Sequence, residues 1–221
     1  MNMTAEQLIS DVIIPLRTSD TGEEALGIMN EFYVRHLPIV NQHELLGLLS
    51  EDDILDHDVE AAVGSYKLSL QHPFVRTKDH LYDIIRLVAD HQLTAIPVVD
   101  EKRHYVGLIT AEDLLRHFAE SGTFREPGGI IVLEMLRQDY SLAQLARIVE
   151  SENAVILSAH VQTFQESPRI EVTLKVNKQN ITNILASFER FDFVIKATFN
   201  EIEYFDSLRE RYDSFISYLN V

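Results

Sequence analysis

The sequence predicts an α+β protein made of two kinds of module, and three observations carry that reading. Arg35-His36-Leu37-Pro38-Ile39-Val40 and Thr94-Ala95-Ile96-Pro97-Val98-Val99 share one pattern, with the prolines 59 residues apart. Leu46-Gly47-Leu48-Leu49-Ser50-Glu51-Asp52-Asp53-Ile54-Leu55 matches Val106-Gly107-Leu108-Ile109-Thr110-Ala111-Glu112-Asp113-Leu114-Leu115 at an offset of 60. After residue 129 the pattern changes and no longer repeats. Self-similarity at a fixed period has to be recognised before local structure is assigned, because it decides the architecture.

Each copy reads as β-α-β-β-α. Thr18-Ser19-Asp20 and Thr77-Lys78-Asp79 match at an offset of 59, and Asp20 and Asp79 suit helix N-caps. Apolar residues then recur at helical spacing, Ala25, Ile28, Met29 and Phe32 in one copy and Leu81, Ile84, Ile85 and Val88 in the other. Pro38 and Pro97 are expected to open a short strand, where a missing N–H does least harm. A turn, the strand Leu45–Leu49 or Tyr105–Ile109, and a second helix behind Ser50 or Thr110 complete the unit. One such unit buries too little surface to stand alone, so the two copies (1–62 and 63–120) are expected to pack face to face.

Residues 121–129, rich in Gly and with Pro127, read as a linker. Residues 130–200 then give strand Ile130–Leu136, helix Ser141–Glu152, a hairpin of Val155–Phe164 with Arg169–Val176, helix Ile181–Phe191 and strand Phe193–Phe199. That βαββαβ order is the split βαβ, ferredoxin-like arrangement. Tyr204, Phe205, Leu208, Tyr212, Phe215, Ile216 and Leu219 fall on one stripe of an expected terminal helix over 201–221, which needs a partner surface.

Composition narrows the function. The 221 residues carry 19 Lys and Arg against 35 Asp and Glu, a formal charge of −16. That balance argues against binding nucleic acid or an anionic membrane non-specifically, since both need surplus cations. Cysteine is absent, which excludes thiolate catalysis and Cys-ligated metals and fits a reducing compartment. No apolar run reaches membrane-spanning length and no secretory signal is visible, so a cytoplasmic location is expected. P-loop, GxSxG and GxGxxG motifs are missing, and the nine histidines show no HExxH spacing. Little remains from which to build a catalytic centre, and no enzyme activity is expected.

The chemistry-bearing motif is Gly-apolar-apolar-[Ser/Thr]-x-x-Asp, present as Gly47-Ser50-Asp53 and Gly107-Thr110-Asp113. The hydroxyl sits at a helix start, where backbone N–H groups favour an anion. The carboxylate one turn on suits a ribose diol. The same residues also make a capping box, with Ser or Thr at N-cap and Asp at N3. Glu51, Asp52, Asp53, Asp56, His57 and Asp58 form an acidic cluster that offers oxygens to a divalent cation such as Mg²⁺, or a solvated helix start.

These duplicated residues resemble the tandem cystathionine-β-synthase (CBS) domain pair, or Bateman module, over about residues 1–120. The resemblance implies a cleft between two sheets for an adenosine-containing ligand: AMP, ADP, ATP or S-adenosylmethionine. It implies Asp53 and Asp113 on ribose, Ser50 and Thr110 beside it, His36, Leu37, Ala95 and Ile96 on adenine, and Thr18 and Thr77 at a polar position after each first strand. Residues 129–200 resemble an ACT domain through Ile131–Leu136 and Leu142–Ile148. The usual Asp-x-x-Gly turn reads Asp139-Tyr140-Ser141-Leu142 here, so assembly is expected of it rather than amino-acid binding. Together the two parts resemble the acetoin-utilisation protein family, and a homodimer is the expectation.

The expected function is regulatory: a ligand bridging the two copies favours one relative orientation of the domains. A structural module with degenerate sites and a divalent-cation sensor are the alternatives. Residues 1–120 hold 21 acidic and 9 basic residues, net −12. Among the cations only Arg17, Arg35, Arg76, Lys78, Lys102 and Arg103 lie near the motif segments. Adenosine, AMP or S-adenosylmethionine is therefore expected ahead of ATP.

Overall fold

The computed structural model describes residues 3–10, 12–70, 73–120 and 122–200. The chain divides into two compact units between Ala119 and Glu120. The expected helix over 201–221 lies outside the described residues.

In the first unit, copy 1 contains α1 (Gly22–Glu31), β1 (His36–Asn41), β2 (Glu44–Ser50) and α2 (Glu51–Leu55). Copy 2 contains β3 (Val75–Arg76), α3 (Leu81–Asp90), β4 (Ala95–Val99), β5 (Tyr105–Thr110) and α4 (Ala111–Glu120). β1 and β2 pair antiparallel, as do β4 and β5. β3 adds to β4 in parallel, and in copy 1 a single parallel bridge from Leu16 to Ile39 takes its place.

Two details of the local reading shift. Asp20 and Asp79 do not cap helices. Their carboxylates accept the N–H groups of Arg17 and Arg76 at 2.8 Å each, closing the turn before the helix. Thr21 and His80 become the N-caps, and Thr21 makes a full capping box with Glu24. Pro38 and Pro97 do not open their strands either. Each is the third residue, paired to Leu48 and Leu108. The two preceding residues are thereby drawn into the sheet and buried, which bears directly on the site below.

The cores of the two copies exchange segments. Ala5, Leu8 and Met3 pack into the core of copy 2 with Val75, Leu81, Ile84 and Leu93. Val63, Tyr66 and Leu68 pack into the core of copy 1 with Leu16, Ala25 and Met29. The backbone bonds repeat the exchange: Glu6 N–H donates to the Thr77 carbonyl and Gly64 N–H to the Thr18 carbonyl, both at 3.0 Å. A Cβ on Gly107 would lie 2.3 Å from Ile9 Cγ2, so this position has room only for glycine beside the N-terminal segment. Each copy completes its core with the stretch that precedes the other.

In the second unit, the stretch expected as a linker contains a short helix, α5 (Gly122–Arg125). β6 (Gly129–Leu136), α6 (Leu142–Ser151), β7 (Ile156–Thr163), β8 (Arg169–Val176), α7 (Thr182–Arg190) and β9 (Val194–Asn200) follow. The sheet order β7-β8-β6-β9 is the ferredoxin-like topology. Alternate residues of β6 and β8, Ile131, Leu133, Val172 and Leu174, are fully buried with Leu145, Val149 and Phe188 of α6 and α7. Gly128 enters this sheet so closely that a Cβ would lie 1.9 Å from the Val176 carbonyl oxygen. Gly128→Ala is expected to destabilise the unit by about 1–3 kcal/mol, read as a lower urea midpoint.

Candidate functional site

The capping-box geometry builds two related clefts in the first unit. At the start of α4, Thr110 Oγ1 and N–H donate to Asp113 Oδ2 at 2.7 and 3.1 Å, and Asp113 N–H donates back to Thr110 Oγ1 at 3.0 Å. At the start of α2, Ser50 and Asp53 repeat the arrangement at 2.7 and 3.0 Å. The motif residues cap both helices; Thr110, Asp113 and Ser50 also border a cleft, and Asp53 does not.

Cleft A lies at α4 and has a volume of about 250 Å³. Copy 2 lends it Thr94, Thr110, Glu112, Asp113 and Arg116; copy 1 lends Phe32, Tyr33 and Val34, and the N-terminal stretch lends Ser10, Val12 and Ile13. Tyr33 is 91% exposed at its rim. Asp113 Oδ2 is taken by Thr110, while Oδ1 lies 3.8 Å from Arg116 Nη1. Arg116 also pairs with Glu112 at 2.6 Å. The cleft thus combines an aromatic and aliphatic wall, a hydroxyl–carboxylate pair and one cation already shared with two acids.

Cleft B lies at α2 and is lined by Arg35, His36, Ser50, Glu51, Asp52, Ser69, Leu70, His91 and Gln92. Asp53 is not at its surface. It is 4% exposed, and its second oxygen, Oδ1, accepts the Ser69 N–H at 2.8 Å. Burial alone would push the Asp53 carboxyl up, but hydrogen bonds from Ser50 and Ser69 outweigh it and hold the group below the usual carboxylate value. The connecting segment has satisfied the carboxylate that its counterpart in copy 2 presents to a cleft.

The sequence-derived site residues divide accordingly. Thr110 and Asp113 line cleft A; Ser50 and His36 line cleft B. Thr18 borders a separate hollow with Ile39, Leu46, Val63 and Tyr66, and its carbonyl and that of Thr77 hold the exchanged segments. Leu37, Ala95 and Ile96 have no exposed surface: here they sit in the core rather than on a cleft wall, because the strands start before the prolines. The cleft walls come instead from residues one to five positions earlier, Phe32–Val34 and Thr94 in cleft A and His91–Gln92 in cleft B. The apolar triplet ahead of Arg35 was the available signal. Arg116, three residues after Asp113, was also missed.

The acidic cluster does not gather. Among the described residues no group of three His, Asp or Glu side chains is placed to hold a metal ion. His57 turns away to donate from Nδ1 to the Asp53 carbonyl at 2.7 Å, accepts Lys67 N–H at Nε2 and stacks on Tyr66. Among the described residues no helix is long and apolar enough to cross a membrane.

Comparison with known proteins agrees with the duplicated motif. The CBS domain matches residues 5–60 and again residues 67–120. An inosine-5′-monophosphate dehydrogenase of Methanocaldococcus jannaschii is 20% identical over 67% of this chain and 30% of its own length. The magnesium transporter MgtE of Thermus thermophilus is 28% identical over 49% of this chain and 25% of its own. The chain spans half or less of the length of the curated relatives it matches. Among solved structures, a CBS domain pair/ACT domain protein of Thermotoga maritima is 25% identical with a TM-score of 0.48, covering 54% of this chain and 99% of that one. The protein CBSX2 in complex with AMP is 23% identical with a TM-score of 0.46, covering 53% and 96%. With the motif present twice, in order and in one compact unit, the chain is a tandem CBS-domain protein.

Proposed function

We propose that the protein is a non-catalytic sensor that binds one adenosine-containing ligand per chain, in cleft A. The observation that supports this reading best is the convergence of Thr110 and Asp113 with Phe32–Val34. A carboxylate oxygen and a hydroxyl meet a ribose diol, while a base lies against the aromatic and aliphatic wall. Arg116 offers one cation to a phosphate, but Glu112 and Asp113 compete for it, so adenosine, AMP or S-adenosylmethionine is favoured over ATP. The ligand touches both copies and favours the arrangement that holds them closed on it. It shifts that equilibrium only by its differential affinity, and a reversal from 1:99 to 99:1 takes about 5.5 kcal/mol. The ferredoxin-like unit serves assembly in this reading, as an ACT-like module of a homodimer.

Thermal unfolding with adenosine, AMP, ATP and S-adenosylmethionine tests the proposal. A ligand at about 100 times its Kd adds about 2.7 kcal/mol. For a chain of this size that is a rise of roughly 5–10 °C. Absence of a shift with all four would refute the sensor reading and leave an interaction module.

A further inference from the structure

His36 joins the two clefts. It is 8% exposed, and its ring crosses from β1 to the residue before β4. Thr94 N–H donates to His36 Nδ1 at 3.1 Å, and Thr94 Oγ1 lies 3.0 Å from the same nitrogen. Arg35 N–H donates to Thr94 Oγ1 at 2.7 Å, which leaves the Thr94 hydroxyl proton for Nδ1. A nitrogen that accepts a backbone N–H carries no proton, so the ring is neutral with its hydrogen on Nε2. Thr94 in turn lines cleft A, and its carbonyl accepts Ala111 N–H at 2.9 Å, fixing the first residue of α4. One line of hydrogen bonds thus runs from His36 through Thr94 to the helix start that carries Thr110 and Asp113.

We propose that His36 is a proton-sensitive latch on cleft A: a proton on Nδ1 removes the acceptor for Thr94, frees the start of α4 and weakens ligand binding. This regulation rests on the reading of cleft A as the ligand site. The charged and titratable groups that face the ring are Arg35 beside it, Glu51, Asp52 and Asp53 from α2, and His91 across cleft B. Burial and then Arg35 hold the ring below the usual imidazole value, and Asp52 and Asp53 oppose them without prevailing. A lowered folded value means that the neutral latch is intact above the ordinary imidazole pKa near 6.5 and is lost as pH falls through the lower folded value.

Adenosine is the probe, because it has no phosphate to titrate in this window. Its Kd and the exchange protection of the Thr94 amide are measured at about pH 7.5 and about pH 4.5, one above and one well below the ordinary imidazole value. The expected result is adenosine binding weakened severalfold or more at the lower pH, each unit by which the pH lies below the folded value adding up to about tenfold. Thr94 protection is expected to fall in parallel. His36→Asn keeps an oxygen acceptor for Thr94 N–H that does not titrate, and both readings should become flat with pH. Unchanged Thr94 protection in the wild-type protein would overturn the latch, as would an equal pH dependence in His36→Asn. If adenosine binds at neither pH, the ligand reading fails, while Thr94 protection in the wild-type protein still decides the latch.

Discussion

Asp53→Ala is expected to lower the midpoint of thermal unfolding by roughly 6–12 °C, and Asp113→Ala by less than half of that. The two residues occupy equivalent positions in the repeat, so the sequence alone assigns them the same value. Their surroundings differ. Asp53 is 4% exposed and accepts from Ser50 N–H, Ser50 Oγ and Ser69 N–H. Truncation loses a helix cap, usually about 1 kcal/mol, and the bond from the Ser69 N–H, a further loss of about 1.5–3 kcal/mol for a hydrogen bond to a charged group. A total near 3 kcal/mol converts to this shift at about 2–4 °C per kcal/mol. Asp113 loses its cap as well, but its second oxygen ties down no backbone segment. Acid adds a second signature. The Asp53 carboxyl is held below its ordinary value of 3.8, so its stabilisation is present above that pH and is lost as pH falls through the folded value. The wild-type protein should therefore lose stability more steeply than Asp53→Ala below about pH 4. Equal thermal shifts for the two alanine variants would show that Ser69 contributes nothing at Asp53.

This asymmetry marks the limit of what the sequence discloses. The repeat, the strand–turn–strand order and the ferredoxin-like half are legible because they rest on periodicity and on turn residues, which act locally. The capping partners at α2 and α4 are legible for the same reason, since Ser50 and Asp53, or Thr110 and Asp113, lie one helical turn apart. The cleft walls are not local. Whether Leu37 or Val34 meets a ligand depends on where β1 begins, and the strand absorbs two residues ahead of Pro38 because the Leu16 bridge and β2 pair with it on both sides. The exchange of segments between the copies is likewise invisible to pattern matching. It needs Glu6 and Gly64 to find the Thr77 and Thr18 carbonyls across the unit. Ser69, which closes Asp53, lies in the same kind of connecting segment and carries no motif. A duplicated motif thus predicts two sites, while the segments between the motifs decide how many remain open.

Asp113→Asn is expected to weaken adenosine binding roughly 10- to 100-fold while leaving the fold intact. The amide oxygen still accepts from Thr110 N–H, so the start of α4 keeps its cap. What is lost is the charged acceptor on the cleft side, and a hydrogen bond to a charged group contributes about 1.5–3 kcal/mol, which corresponds to that range of affinity. Isothermal titration of the wild-type chain should show one adenosine per chain, because cleft B offers no free Asp53 oxygen and, among the described residues, no aromatic wall equivalent to Phe32 and Tyr33. Asp53→Asn should keep that stoichiometry, since Asp53 lines neither cleft. Two adenosines per wild-type chain would mean that Ser69 yields its bond to Asp53 when ligand arrives. In that case Asp53→Asn would remove the second site and leave the first. A wild-type affinity in Asp113→Asn would place the ligand elsewhere than on the cleft A carboxylate, and the hydroxyl–carboxylate pair of copy 2 would then be a helix cap only.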